Sequence, residues 1–225
     1  MATTDRYRRP TDLPAQLPVF PLRGTILLPR SGLPLNVFEP RYLALLDDVI
    51  AGSRVLGIIQ PMPGDDGESP PGKSIGLRRV GCAGRVTAFQ ELDDGRLVIT
   101  LTGICRFDVI DEIATAKPYR MVHASYERFA ADLNEGLGEE RVDRDTLLRV
   151  LRSYLDANRL KADWNAIQRS PSELLVNALS VMSPYGAEEK QALLEADDLK
   201  ARADVLVALA EMALASTSGT GGTVQ

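Results

Sequence analysis

The sequence predicts an α+β fold in which a β-rich half precedes a helical half. Three observations carry that expectation. Short apolar runs broken by Pro and Gly fill residues 17–60, a strictly alternating pair of segments flanks a turn between residues 80 and 103, and the apolar period changes to 3.6 from about residue 140.

The first elements are LPVFPL (17–22), TILLP (25–29) and LPLNVF (33–38), each too short and too often punctuated for a long helix. One helix then interrupts the strands. Pro40 suits its first turn, where an N–H would have no partner, and Tyr42, Leu43, Leu46, Val49 and Ile50 follow helical spacing until Gly52 stops it. RVLGIIQ (54–60) reads as a buried strand. From Val80 to Gly103 the pattern is a hairpin: Leu97, Ile99 and Leu101 alternate with Val98, Thr100 and Thr102, and Asp94-Gly95 supplies the turn. RFDVID (106–111) and YRMVHASY (119–126) add two more strands.

In the second half Leu147, Leu148, Val150, Leu151, Tyr154 and Leu155 share one helix face. The next helix has a capping box, with Ser170 as cap, Pro171 in the first position and Glu173 closing the box. It ends at Ser183-Pro184, and residues 188–196 and 199–215 form a short and a longer helix. The domain plan is therefore a flexible arm (1–16), a β-rich lobe (17–126), a helical lobe (127–215) and a disordered tail (216–225).

Composition narrows the function. A net charge of −5 argues against non-specific nucleic-acid binding, which needs Lys and Arg to displace counterions, and 5% aromatics leave little for base stacking. No apolar leader opens the chain and no apolar run is long enough for a bilayer. Two cysteines, Cys82 and Cys105, lack CxxC spacing, and free buried thiols are the expectation. A soluble cytoplasmic protein is expected.

The stretch GESPPGKS (67–74) fits the phosphate-loop pattern GxxxxGK[ST] letter for letter. Its context opposes the match. Pro70 and Pro71 offer no N–H to phosphate, Asp65, Asp66 and Glu68 repel it, and the residues that follow read as strand where a helix must open. His123 is the sole histidine, so an imidazole-based metal site is not expected. Arg78, Arg79, Arg85 and Arg106 read as a solvated strand face balanced by Asp93, Asp94 and Asp108. No nucleophile elbow, HExxH or spaced Ser/His/Asp set is present, and the carboxylate pairs Asp47-Asp48, Glu139-Glu140 and Asp197-Asp198 suit helix surfaces.

The blocks FPL (20–22), LPL (33–35) and FEPRY (38–42) occur in an order that resembles the opening of the Lon-protease N-terminal domain, in particular its free-standing bacterial form. VGCAGRV (80–86), DDGRLVITLTGICRF (93–107) and EKQALLEADDLKARADVLVAL (189–209) extend the resemblance from Leu17 to Ala213. Arg30 departs from it, since the family often has Gly after that Pro. The resemblance implies a PUA-like β pseudo-barrel packed on a helical bundle, without the ATPase and peptidase domains of the full-length proteases. It further implies a non-catalytic module that holds unfolded or tagged polypeptide, or serves as an adaptor in protein quality control.

Expected partners are polypeptide segments or client proteins and a protease or chaperone that receives them; neither a cofactor nor a membrane is expected. The PUA-like architecture alone raises an RNA-binding alternative, and the loop at 67–74 a nucleotide-dependent hydrolase. Within FEPRY, Phe38 is expected to staple onto the helix that Pro40 opens, Glu39 to sit at its positive end, and Arg41 to reach a carboxylate across the lobe. Phe38, Arg41 and Tyr42 are also the candidate polypeptide-binding surface, with segments 61–74 and 127–140 as flexible rims. ATP is expected to leave the melting temperature unchanged in the wild type and in Lys73→Ala alike; stabilisation by ATP that Lys73→Ala abolishes would reinstate the phosphate loop.

Overall fold

Strand β5 organises the molecule. The computed structural model describes residues 6–63, 76–157 and 162–219. Its strands are β1 (Gln16–Pro21), β2 (Gly32–Val37), β3 (Val55–Pro61), β4 (Leu77–Glu91), β5 (Leu97–Ile113) and β6 (Arg120–Ser125), with helix α1 (Pro40–Ala51) between β2 and β3. The sheet order is β2-β5-β4-β3-β1-β6, and β5 also pairs with β6. The first half of β5 carries β2 and its second half carries β6, so five strands close on themselves while β2 hangs on the outside. Among the described strands only β1 and β3 run parallel; α1 lies in the crossover such a pair requires. RFDVID, expected as a separate strand, is the second half of β5, bent through the register shifts that β-bulges introduce.

TILLP does not join the sheet. Ile26, Leu27 and Leu28 are buried as a plug laid across it. Gly103 explains the contact: a Cβ there would lie 1.9 Å from the Leu28 carbonyl oxygen, so only glycine admits the plug. The Gly103 carbonyl accepts from the Arg30 N–H at 2.9 Å, and its N–H donates to Ser31 at 3.0 Å. Arg30 itself adopts φ 61°, the left-handed region that favours glycine. Its side chain offsets that strain by donating to the Asp132 carbonyl at 2.8 Å and pairing with Glu173.

The helical lobe comprises α2 (Arg144–Ala157), α3 (Trp164–Arg169), α4 (Ser172–Met182), α5 (Ala187–Glu195) and α6 (Leu199–Gly219). The expected capping box is replaced. Ser170 closes α3, its hydroxyl donating to the Ala166 carbonyl at 2.8 Å. Helix α4 begins after Pro171, and the Glu173 N–H is capped by Glu139 at 2.7 Å. The Glu173 carboxylate is drawn off to Arg30 and to the Gly136 N–H, partners that local spacing does not reveal.

Three further expectations change. From residue 6 the arm is docked, with Tyr7 and Leu13 buried and the Tyr7 hydroxyl accepting from Arg85 at 3.1 Å. Helix α6 runs to Gly219, past the start of the expected tail. Segment 127–140 is no flexible rim: it forms two 3-10 turns, Glu127–Leu133 and Glu139–Arg141, and buries Phe129 and Asp132.

Buried polar side chains join the lobes. Arg106 on β5, 3% exposed, forms a bidentate pair with Asp132, Nε and Nη2 each 2.8 Å from a carboxylate oxygen. Its Nη1 donates to the Leu194 and Ala196 carbonyls at the end of α5, where a cation is favoured, and its guanidinium lies 4.4 Å from the centre of the Phe129 ring. Gln60 on β3 donates to the Ala187 carbonyl and to Gln191, which donates to the Val80 carbonyl of β4. Arg202 donates to Leu193 and Asn177, and Asn177 donates to Pro29 beside the plug. Of the expected solvated arginine face, Arg79 is exposed and balanced by Asp108 as expected, whereas Arg106 is core, Arg78 pairs with Glu188 and Arg85 holds the arm.

Asp132→Ala is expected to cost about 3–5 kcal/mol in urea unfolding, because it strands a buried guanidinium. Glu112→Ala, at an exposed pair with Arg120, is expected to cost less than about 1 kcal/mol. A second measurement concerns Lys190, 4% exposed, whose ammonium donates to the Ser180 and Val181 carbonyls. Burial pushes its pKa from 10.5 down to about 8. Between those values the unfolded chain binds more protons, so this group's contribution to stability rises with pH across that window. Lys190→Met is expected to remove that rise, seen as a wild-type-minus-variant unfolding free energy that climbs from pH 8 to pH 10.5.

Candidate functional site

The residues of FEPRY separate. Glu39 is the N-cap of α1, as its position suggested. Arg41 reaches Glu39, two residues away, at 2.9 Å and lies over the Tyr42 ring at 4.6 Å; it does not cross the lobe. Tyr42 is buried and stacked on Phe20, ring centres 3.8 Å apart. Phe20 therefore covers the tyrosine, and Phe38 is left 64% exposed with no stapling role. Only Phe38 of the three candidate residues presents a large apolar surface to solvent.

A second exposed aromatic is placed by the sheet register. Leu35 of β2, Ile99 of β5 and Phe89 of β4 are opposite one another, so their side chains share one face. Ile99 is buried, Leu35 half-buried and Phe89 54% exposed, which carries the core's apolar row out to the margin of the sheet. Val98 is exposed on the other face. Beyond Arg85, β4 has outrun β3, and the far ends of β2, β5 and β4 project as a three-stranded ribbon. Its tip is held by Asp94 and Gly95, with Gly95 at φ 79° and Arg96 Nε donating to Asp94 at 2.7 Å. An apolar cleft also opens within the helical lobe, lined by Leu147, Leu151, Leu179, Tyr185 and Leu206; it lies among the helices, away from the junction with the barrel.

The other chemical candidates have structural surroundings. His123 Nδ1 lies 2.6 Å from Asp111 across β5 and β6, and both side chains are exposed. Cys82 and Cys105 are buried free thiols, and burial pushes both well above the usual thiol range, away from the reactive thiolate. Among the described residues, no three His, Cys, Asp or Glu side chains gather as a metal site, and no helix is long and apolar enough to cross a membrane. GESPPGKS, with Lys73, lies outside the described residues. Its flanks are described: β3 enters and β4 leaves as an antiparallel pair joined at Pro61 and Leu77, where a phosphate loop requires a strand followed by a helix.

Residues 16–211 match the family model for the ATP-dependent protease La (LON) substrate-binding domain. The chain belongs to this family. The Lon protease of Flavobacterium johnsoniae is 29% identical over 204 residues, covering 85% of this chain and 23% of that protein. The Lon protease of Dictyoglomus thermophilum is 28% identical over 205 residues, 85% of this chain and 24% of that protein. This Lon-type domain thus spans about a quarter of those relatives. Two solved structures share its fold: a Lon N-terminal domain protein from Xanthomonas campestris (TM-score 0.59, 23% identity, 86% of this chain and 97% of that one) and the N-terminal domain of Mycobacterium avium complex Lon protease (TM-score 0.64, 16% identity, 87% and 98%).

Proposed function

We propose that this Lon-type domain is a non-catalytic module that holds extended segments of unfolded or tagged polypeptide and presents them to a partner protease or chaperone. The observation that carries the reading is the exposed apolar surface on and beside the ribbon, with Phe89 on one face, Val98 on the other and Phe38 just past the end of β2, next to strand margins that no described strand pairs. Extended polypeptide suits such a surface, because main-chain bonds supply affinity and alternate side chains supply selectivity. Chemistry on a bound chain finds no support in the geometry: the thiols are buried and neutral, and the histidine is paired with Asp111. Nor does RNA binding, since each basic side chain has an acidic one beside it, Arg78 with Glu188 and the exposed Arg79 with Asp108, so they form no unbalanced basic patch.

Fluorescently labelled, permanently unfolded casein is expected to bind with modest affinity, weakening about tenfold in Phe38→Ser/Phe89→Ser while the circular dichroism and melting temperature hold. Binding that ignores both this double substitution and the replacement of apolar residues in the ligand by polar ones would refute the reading.

A further inference from the structure

Resting on that reading, we propose that a client strand pairs antiparallel with the outer edge of β4 at Phe89 and Glu91, and that the preferred client carries a basic residue two positions before an aromatic one.

The ribbon has two edges, and backbone parity distinguishes them. The Leu92 N–H donates to the Arg96 carbonyl across the hairpin at 2.9 Å. With the register Gln90 to Val98 and Ala88 to Thr100, residues 88, 90 and 92 turn their backbone groups toward β5, so Phe89 and Glu91 turn theirs outward. On the opposite edge, the Gly103 N–H donates to Ser31 at 3.0 Å, which turns Leu33, Leu35 and Val37 toward β5 and Gly32, Pro34 and Asn36 outward. The middle outward position of β2 is thus a proline, which has no N–H to offer. That edge is blocked against strand addition, whereas β4 keeps its donors.

Among the described residues, no strand fills the lane beside β4. Strand β3 begins at Val55 opposite Arg85, and the Val86 N–H makes the last contact, to the Arg54 carbonyl at 2.8 Å. Arg54, at φ 61°, turns the chain off that line. No strand among the described residues pairs with the outer side of Thr87–Glu91, and all five residues are exposed. An added antiparallel strand continues the line of β3.

Side chains then select the occupant. Phe89 and Glu91 lie on one face, so an antiparallel partner places one residue against Glu91 and, two positions later, one against Phe89. The acidic side chains Glu91 and Asp93 favour a cation at the first place, and Phe89 an aromatic at the second. The same charges disfavour a second copy of this chain, which brings an identical acidic edge.

The test uses a fluorescein-labelled extended peptide with the core Lys-Thr-Phe in a threonine-rich frame, read by fluorescence anisotropy against the full chain. Phe89→Pro removes an outward N–H without touching the ladder to β5 and is expected to weaken binding about tenfold or more. Phe89→Ala is expected to weaken it less, and Asn36→Pro not at all. N-methylating alternate amides of the peptide gives two sets, of which one is expected to abolish binding and the other to spare it. This second measurement uses wild-type protein and decides the matter even where Phe89→Pro fails to fold. Equal effects of the two sets, or loss in Asn36→Pro with Phe89→Pro unaffected, overturn the assignment of the edge. A dimer in light scattering that Phe89→Pro dissolves overturns the client in favour of a second copy. Binding of casein without the peptide refutes this inference alone, whereas failure to bind either refutes the polypeptide-holding function.

Discussion

A single guanidinium ties this fold together. Arg106 sits midway along the longest strand, and its donors reach a 3-10 turn on one side and the end of a helix on the other. Removed from water, that cation has to be met by a carboxylate and by carbonyls, and Asp132, Leu194 and Ala196 meet it. The geometry of the junction follows. The turn at Glu127–Leu133 folds back because Asp132 must reach β5, and Phe129 lies under the guanidinium. Helix α5 is aimed so that its carbonyl end faces the charge. Gln60, Gln191 and Arg202 repeat the device on a smaller scale, each satisfying backbone groups of a neighbouring element.

Much of this architecture is legible in the sequence where its cause is local. Alternation in residues 97–102 and the Asp94-Gly95 turn define the hairpin, and Pro40 and Gly52 bracket α1 within a residue. The helices at 144–157 and from 199 onward follow from their apolar stripes. What escapes has partners far away in the chain. Arg106 looks like a member of a basic strand face until Asp132, 26 residues on, is seen beside it. Glu173 looks like half of a capping box until Arg30, 143 residues away, claims it. TILLP has the composition of a strand, but its place is decided by Gly84 and Gly103, which make room for it as a plug.

The candidate site shows the same division. FEPRY stands out as a motif, yet two of its aromatic or basic members serve the fold: Tyr42 stacks on Phe20, and Arg41 covers Tyr42. Phe89 does not stand out, because an apolar residue in an alternating strand is assumed to face inward. Only the register against Leu35 and Ile99, together with the early end of β3, puts it at the margin. Arg30 lies between these cases. The sequence marks it as a departure where glycine is common, and the structure supplies the reason in its left-handed backbone and a side chain that spans both lobes.

Closure of the barrel has a consequence for biosynthesis. β5 requires β6, Arg106 requires carbonyls at residues 194 and 196, and Pro29 awaits Asn177. Most of the polypeptide must leave the ribosome before the first hundred residues have all their partners, so folding is governed by contacts of high sequence separation and completed late. Until then the nascent chain exposes strand margins and apolar surface that the finished barrel covers.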